Sequence, residues 1–111
     1  MKTFLSAVTL ALGTGALAPM ALAEPLVIYS GRGEALVAPL IAQFEAETGI
    51  DTEVRYGSTA EMATLLMEEG AKTPADLFWA QDAGALGALS PQFAAMAPAV
   101  NDTVLPVFRD P

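Results

Sequence analysis

The sequence has 111 residues, with thirteen acidic and five basic side chains, a net charge of −8 at pH 7, and neither histidine nor cysteine. This composition excludes disulfide bonds, thiolate metal sites and histidine-based acid–base chemistry, so any metal site must use oxygen ligands. The acidic surface repels phosphate backbones and therefore argues against nucleic acid as a partner.

Residues 1–23 have the features of a cleavable signal peptide in the expected order. Lys2 provides a basic start, an apolar stretch follows, and Ala21-Leu22-Ala23 forms an A-x-A cleavage site. Glycine and proline interrupt the apolar stretch, which is also shorter than the ~20 apolar residues that span a bilayer. We therefore expect an exported, soluble protein of residues 24–111 that does not insert into the membrane after cleavage.

The first predicted elements are a strand and a helix. Residues 26–29 form a continuous apolar and β-branched run, which is typical of a strand buried on both faces. An apolar stripe with a period of 3.6 residues then predicts a helix that ends at Gly49 with a left-handed cap. Pro39 predicts an irregular first turn because proline removes a backbone hydrogen bond. The stripe consists of Leu36, Val37, Leu40, Ile41 and Phe44.

Residues 51–56 alternate between apolar and polar side chains, which predicts an edge strand with one wetter face. Ser58 and Glu61 have the spacing of a capping box, so a second helix is expected to begin there and to end at Gly70. Residues 75–80 are apolar at their centre and predict a third strand.

A short helix is expected to follow the third strand, with Asp82 as its cap. The alternation of strands and helices predicts an α/β fold in which right-handed crossovers join parallel strands. Beyond residue 89 the prolines leave at most a short helix around residues 102–108. Three strands make a thin sheet, so we expect that the chain is truncated at Pro111.

Ligands of open parallel sheets bind beyond the carboxyl ends of the strands, where helix N-termini present free amides. This rule selects three loops, and their candidate ligand-binding residues are Arg32, Gly33, Ser58, Thr59, Gln81 and Asp82. Arg32 between two glycines suits an anion, although a tight turn with the arginine in solvent explains the pattern equally well. Ser58 is better explained as a helix cap than as a nucleophile, and Asp82 is either a cap or a ligand-binding residue. The loops hold no recognisable catalytic set, so we expect no enzyme activity.

Four segments of the chain, in order, resemble the ferric-iron substrate-binding proteins of bacterial ABC importers. They are Leu-Val-Ile-Tyr-Ser-Gly-Arg-Gly-Glu-Ala-Leu-Val from residue 26, Phe-Glu-Ala-Glu-Thr-Gly-Ile from 44, Val-Arg-Tyr-Gly-Ser-Thr-Ala-Glu from 54, and Pro-Ala-Asp-Leu-Phe-Trp-Ala-Gln-Asp-Ala-Gly-Ala-Leu from 74. The tail Phe-Arg-Asp-Pro from residue 108 is similar too.

The resemblance implies a periplasmic, monomeric binding protein of the type II fold, in which two lobes close on a ligand. Residues 24–111 would be an incomplete N-terminal lobe, and the bound solute would pass to an ABC permease in the inner membrane. Ferric iron, bound with an anion or chelator, would be the transported ligand and not a cofactor. The alternatives are another small solute such as an oxyanion or, from a different class, a small periplasmic enzyme or interaction domain.

The sequence departs from the family pattern at two positions. Gly33 stands where well-studied members have an iron-binding histidine, and Gln81 stands where some have a glutamate. The paired tyrosines that dominate iron binding in the family belong to the second lobe. The resemblance therefore leaves the metal-ligand set of this chain unknown.

Overall fold

The computed structural model describes residues 23–109, so the predicted signal peptide, residues 1–23, lies outside the described residues apart from Ala23. The strands and helices are β1 (Leu26–Ser30), α1 (Glu34–Thr48), β2 (Thr52–Tyr56), α2 (Thr59–Glu69), β3 (Leu77–Trp79), α3 (Ala83–Leu89) and α4 (Pro98–Asn101). Short 3-10 helices lie at Gly70–Lys72, Ser90–Gln92 and Pro106–Phe108. Between residues 23 and 109, none of the helices has the length and apolar character that a bilayer crossing requires.

The strands form one parallel sheet in the order β2-β1-β3, which confirms the predicted α/β fold. The register pairs Ser30 at the end of β1 with Tyr56 on one side and Trp79 on the other. Strand β3 is shorter than the predicted 75–80 strand, because the Asp76 carboxylate, and not a backbone carbonyl, accepts the Val27 N–H at 2.9 Å.

Helices α2 and α3 cover one face of the sheet. Side chains on a strand alternate between faces, so Tyr29 points to this side while its neighbour Ile28 points to the other. Tyr29 packs in a buried cluster with Met62, Ala63, Leu66 and Leu89. This cluster is the main core of the described chain.

Helix α1 covers the opposite face, and only part of its predicted apolar stripe is buried. Val37 is fully buried, whereas Leu36 and Leu40 are 68% and 52% exposed. The stripe therefore predicts the helix correctly but does not mark these two residues as core. For Leu40 the reason is the narrow sheet: it borders an apolar groove above β3, which is the outermost strand on that side within residues 23–109.

The predicted helix ends are confirmed, with one difference at Pro39. Gly49 has a φ of 70° and its N–H donates to the Glu45 carbonyl at 2.8 Å, as a left-handed cap requires. Pro39 lies inside α1 without interrupting it. The first turn is tightened but unbroken, because the Leu36 and Val37 amides both donate to the Gly33 carbonyl, at 3.0 and 3.3 Å.

The last part of the described chain differs from the prediction of a short helix around residues 102–108. Helix α4 lies earlier, at Pro98–Asn101, and residues 106–108 form only a 3-10 turn. Both segments have proline at their first positions, where its missing N–H costs no intrahelical bond. The prolines therefore begin these segments, whereas their spacing in the sequence predicts only interruptions.

Candidate functional site

The loops that follow β1, β2 and β3 meet at one edge of the sheet. The Gly57 amide donates to the Ser30 carbonyl at 3.0 Å, and the Gly31 amide donates to the Trp79 carbonyl at 2.9 Å. These bonds extend the parallel ladder just beyond the strands on both sides of β1. The edge is where an open parallel sheet presents its ligand-binding loops.

The first loop is held by a fully buried serine. Ser30 Oγ accepts the Arg32 amide at 3.1 Å and donates to the Arg32 carbonyl at 3.0 Å. Arg32 itself is half-buried. Within residues 23–109 the one ion pair joins Arg109 and Asp102 at 3.4 Å, so the Arg32 guanidinium is not neutralised by a carboxylate there.

Gly33 lies at the exposed N-cap of α1 and has ordinary extended dihedral angles, with φ −64° and ψ 145°. A β carbon at this position would have no atom within 4 Å. Neither backbone strain nor crowding therefore requires glycine here. A larger side chain, such as the histidine that the family resemblance implies, has room at this position.

Ser58 in the second loop is a helix cap. Its hydroxyl accepts the Glu61 amide at 3.2 Å, and the Glu61 carboxylate accepts the Ser58 amide at 2.7 Å. These hydrogen bonds from Ser58 hold the pKa of Glu61 below its ordinary value. The predicted capping box is confirmed, and the hydroxyl accepts a hydrogen bond at the start of α2.

The third loop contains one cap and one cross-loop residue. Asp82 Oδ1 accepts the Ala85 amide at 2.9 Å at the start of α3, which is the capping interpretation of this residue. The Gln81 backbone N–H donates to Thr59 Oγ1 at 3.1 Å, and its side-chain amide donates to the Gly31 carbonyl. Gln81 and Thr59 are thus brought together, whereas Ser58 and Asp82 serve their own helices.

Two further polar residues at this edge were not among the sequence candidates. Tyr56 ends β2 beside Ser30, and burial together with the nearby Glu34 carboxylate raises the pKa of its phenol. The sequence signal for Tyr56 is its place as the last residue before the second loop. The alternating pattern of residues 51–56 predicts only that Tyr56 belongs to a strand. Among residues 23–109, no three acidic side chains are grouped closely enough to hold a metal ion.

Comparison with known proteins identifies the family of the chain. Residues 26–105 match the model for bacterial extracellular solute-binding proteins. The chain belongs to this family. A region of 63 residues, 57% of the chain, is 33% identical to an Fe(3+)-binding periplasmic protein of Serratia marcescens and covers 19% of that protein.

Two solved structures share the fold of the chain. Iron-bound HitA from Pseudomonas aeruginosa superposes with a TM-score of 0.70 and 28% identity over 74% of this chain and 28% of HitA. The ferric binding protein from Campylobacter jejuni superposes with a TM-score of 0.66 and 26% identity over 73% of this chain and 26% of that protein. These likenesses confirm the expected type II periplasmic binding protein fold. The chain spans less than a third of the length of each of these relatives.

Proposed function

We propose that the protein is the solute-binding component of an ABC importer and that its transported ligand is ferric iron, bound with an anion or a chelator. The observation that carries this proposal is the 28% identity with iron-bound HitA over 74% of the chain. Binding performs no chemistry in this proposal. Closure of two lobes converts ligand binding into a shape that the permease recognises.

The chemistry of the loop edge supports a hard cation. Ferric iron prefers oxygen ligands, and the chain has neither histidine nor cysteine to offer a softer site. Tyr56 and Glu34 place a phenol and a carboxylate near each other at this edge. The family resemblance assigns the dominant tyrosine ligands to a second lobe, which would close over these groups.

We further propose that residues 24–111 form an incomplete N-terminal lobe. Among residues 23–109, strand β3 is an edge of the sheet with no strand paired to its outer side, and the open groove beside it is almost wholly apolar. Leu77 on β3 is 44% exposed, and Leu40 on α1 faces the same groove. A further strand and helix from the rest of a longer polypeptide would bury this surface, as solute-binding proteins of full length require. The groove is lined by Leu26, Ile28, Leu40, Ile41, Phe44, Leu77 and Trp79.

An oxyanion is the second candidate ligand, and Arg32 favours it. Its half-buried guanidinium forms no ion pair within the described residues, and it precedes the N-terminus of α1, whose first amides lack a side-chain cap. Guanidinium groups bind planar and tetrahedral anions through paired hydrogen bonds. The same contact would also hold an anion that accompanies iron.

The alternative of a small enzyme or interaction domain has less support. The Ser58 hydroxyl, which was weighed as a nucleophile, accepts a hydrogen bond in a helix cap, and the Asp82 carboxylate caps another helix. We propose a periplasmic, monomeric protein, exported by residues 1–23, that delivers its solute to an inner-membrane permease.

The proposal is tested by titrating the mature, full-length protein with ferric citrate. Ferric iron bound by tyrosinate oxygen gives a visible charge-transfer band, and binding raises the melting temperature because the ligand binds only the folded state. Citrate alone and sodium phosphate are the controls. A thermal shift with phosphate and no band with ferric citrate would favour the oxyanion ligand. Neither a band nor a shift with any of the three would refute both binding proposals.

A further inference from the structure

We infer that Thr59 is a positioning residue that holds the loops after β1, β2 and β3 together as one preformed ligand-facing surface. Nothing in the family resemblance assigns this role to the residue. The inference rests on the proposed function only for its consequence on ligand binding. The contacts that define it are formed by Gly31, Thr59 and Gln81, which we call the loop clamp.

The first contact of the loop clamp joins the first and second loops. Gly31 is buried against Thr59, and a β carbon at residue 31 would overlap Thr59 Oγ1 and lie 2.7 Å from Thr59 Cα. Real β carbons essentially never come this close to a backbone atom, so the two loops approach as closely as a glycine permits. Thr59 itself is only 9% exposed.

The other two contacts involve the third loop. Thr59 Oγ1 accepts the backbone N–H of Gln81 at 3.1 Å, and the Gln81 side-chain amide donates to the Gly31 carbonyl. Each of the three loops therefore touches the other two. The second bond requires a carboxamide, because an ionised glutamate has no proton to donate to a carbonyl.

The loop clamp is expected to raise the ligand affinity because it lowers the free energy needed to order the loops on binding. A loop that must be immobilised when a ligand arrives reduces the affinity by the free energy of ordering it, whereas a preformed surface avoids that cost. Ser58 and Asp82 fix the starts of α2 and α3, but their caps join no two loops. Thr59 is the residue whose side chain links the second loop to both of the others.

The test replaces Thr59 in the mature, full-length protein with valine, which keeps the shape and removes the hydroxyl, and with serine, which keeps the hydroxyl. Thr64→Val is the matched control, since the Thr64 hydroxyl in the same helix bonds only to the Ala60 carbonyl one turn earlier. Two quantities are measured: hydrogen exchange of the Gln81 backbone amide by NMR, and the affinity for ferric citrate.

For Thr59→Val we expect faster exchange of the Gln81 amide and an affinity about fivefold lower, the effect of one neutral hydrogen bond. Thr59→Ser and Thr64→Val should remain close to the unsubstituted protein in both measurements. If Thr59→Val does not fold, Gln81→Met replaces it, because this change at an exposed residue removes the hydrogen bond to the Gly31 carbonyl. Gln81→Met should lower the affinity for ferric citrate by a similar factor. Gln92→Met, at another exposed glutamine, is its control.

Unchanged exchange of the Gln81 amide in Thr59→Val would overturn the clamp itself. Faster exchange with unchanged ferric citrate affinity would overturn its role in binding. Failure of the unsubstituted protein to bind ferric citrate would instead refute the proposed iron function, and the exchange result would still decide whether Thr59 holds the loops together.

Discussion

Replacing Gly31 with alanine is expected to destabilise the protein through a steric effect at one backbone contact. The added β carbon would lie 2.7 Å from Thr59 Cα and 3.0 Å from Thr59 Cβ. A side-chain tip can rotate away, but these atoms move only if the first loop or the start of α2 moves. Such overpacking costs about 1–3 kcal/mol. Gly31 does not have a positive φ, so the backbone of alanine itself is not strained there.

Gly33→Ala is the matched control, two residues away in the same loop. Its β carbon would meet nothing within 4 Å, so no steric cost arises, and the weaker N-cap preference of alanine opposes the gain from lower unfolded-chain entropy; we expect a net change of less than about 1 kcal/mol. Urea unfolding followed by the fluorescence of Trp79, which lies in the strand leading into the third loop, gives both free energies of unfolding. Equal stability of Gly31→Ala and Gly33→Ala would refute the close approach of Gly31 to Thr59.

Further substitutions test the caps and the ionisable groups. Ser58→Ala should cost about 1 kcal/mol in the urea assay, since it removes an N-cap, and Ser58→Gly should cost less. Because Glu61 has a lowered pKa, its stabilisation is present above pH 4.5 and is lost as the pH falls through its folded value, so Glu61→Gln should flatten the acid side of a melting curve against pH. Burial is the largest cause of the raised pKa of Tyr29, and the Glu69 carboxylate raises it further. The stabilisation that Tyr29 provides is therefore present below pH 10 and is lost as the pH rises through the folded pKa. Tyr29→Phe should remove this alkaline loss and should cost about 1 kcal/mol of stability at pH 7, because it removes the hydrogen bond to Glu69. Gly33→His should leave the melting temperature unchanged and raise the affinity for ferric citrate, and an unchanged affinity would count against iron binding at the first loop.

Local sequence signals predicted the helix ends well. Gly49 and the capping box at Ser58 act through contacts within three or four residues, so their spacing in the sequence contains the whole interaction. The apolar stripe of α1 was less reliable, because burial of Leu36 and Leu40 depends on how far the sheet extends beneath the helix. That width depends on strand pairing between distant segments, which periodicity does not encode.

The candidate site was likewise predictable from the sequence only in part. The rule for parallel sheets predicted that the three loops lie at one edge, since that rule needs only the order of the elements. The roles of Thr59 and Gln81 were not predictable, because they bond across 22 residues and Gln81 reaches Gly31 across 50. Tyr56 was overlooked for a related reason: its neighbour Glu34 belongs to a different element, and only the packed fold brings them together.

Most of the candidate residues have a structural role in the fold. The hydroxyl of Ser58 and the carboxylate of Asp82 are engaged in caps, and Thr59 and Gln81 join the loops to each other. Of the six candidates, Arg32 has no such side-chain role within residues 23–109, and Gly33 acts only through its backbone, as the N-cap of α1. Both lie at the start of α1, and a β carbon added at Gly33 would meet no atom within 4 Å, so a larger side chain there leaves the scaffold undisturbed. A histidine at residue 33 would have room without a change in the loop, and the Arg32 guanidinium beside it forms no ion pair within residues 23–109, so we propose that substitutions at residue 33 change ligand affinity next to a group suited to an anion.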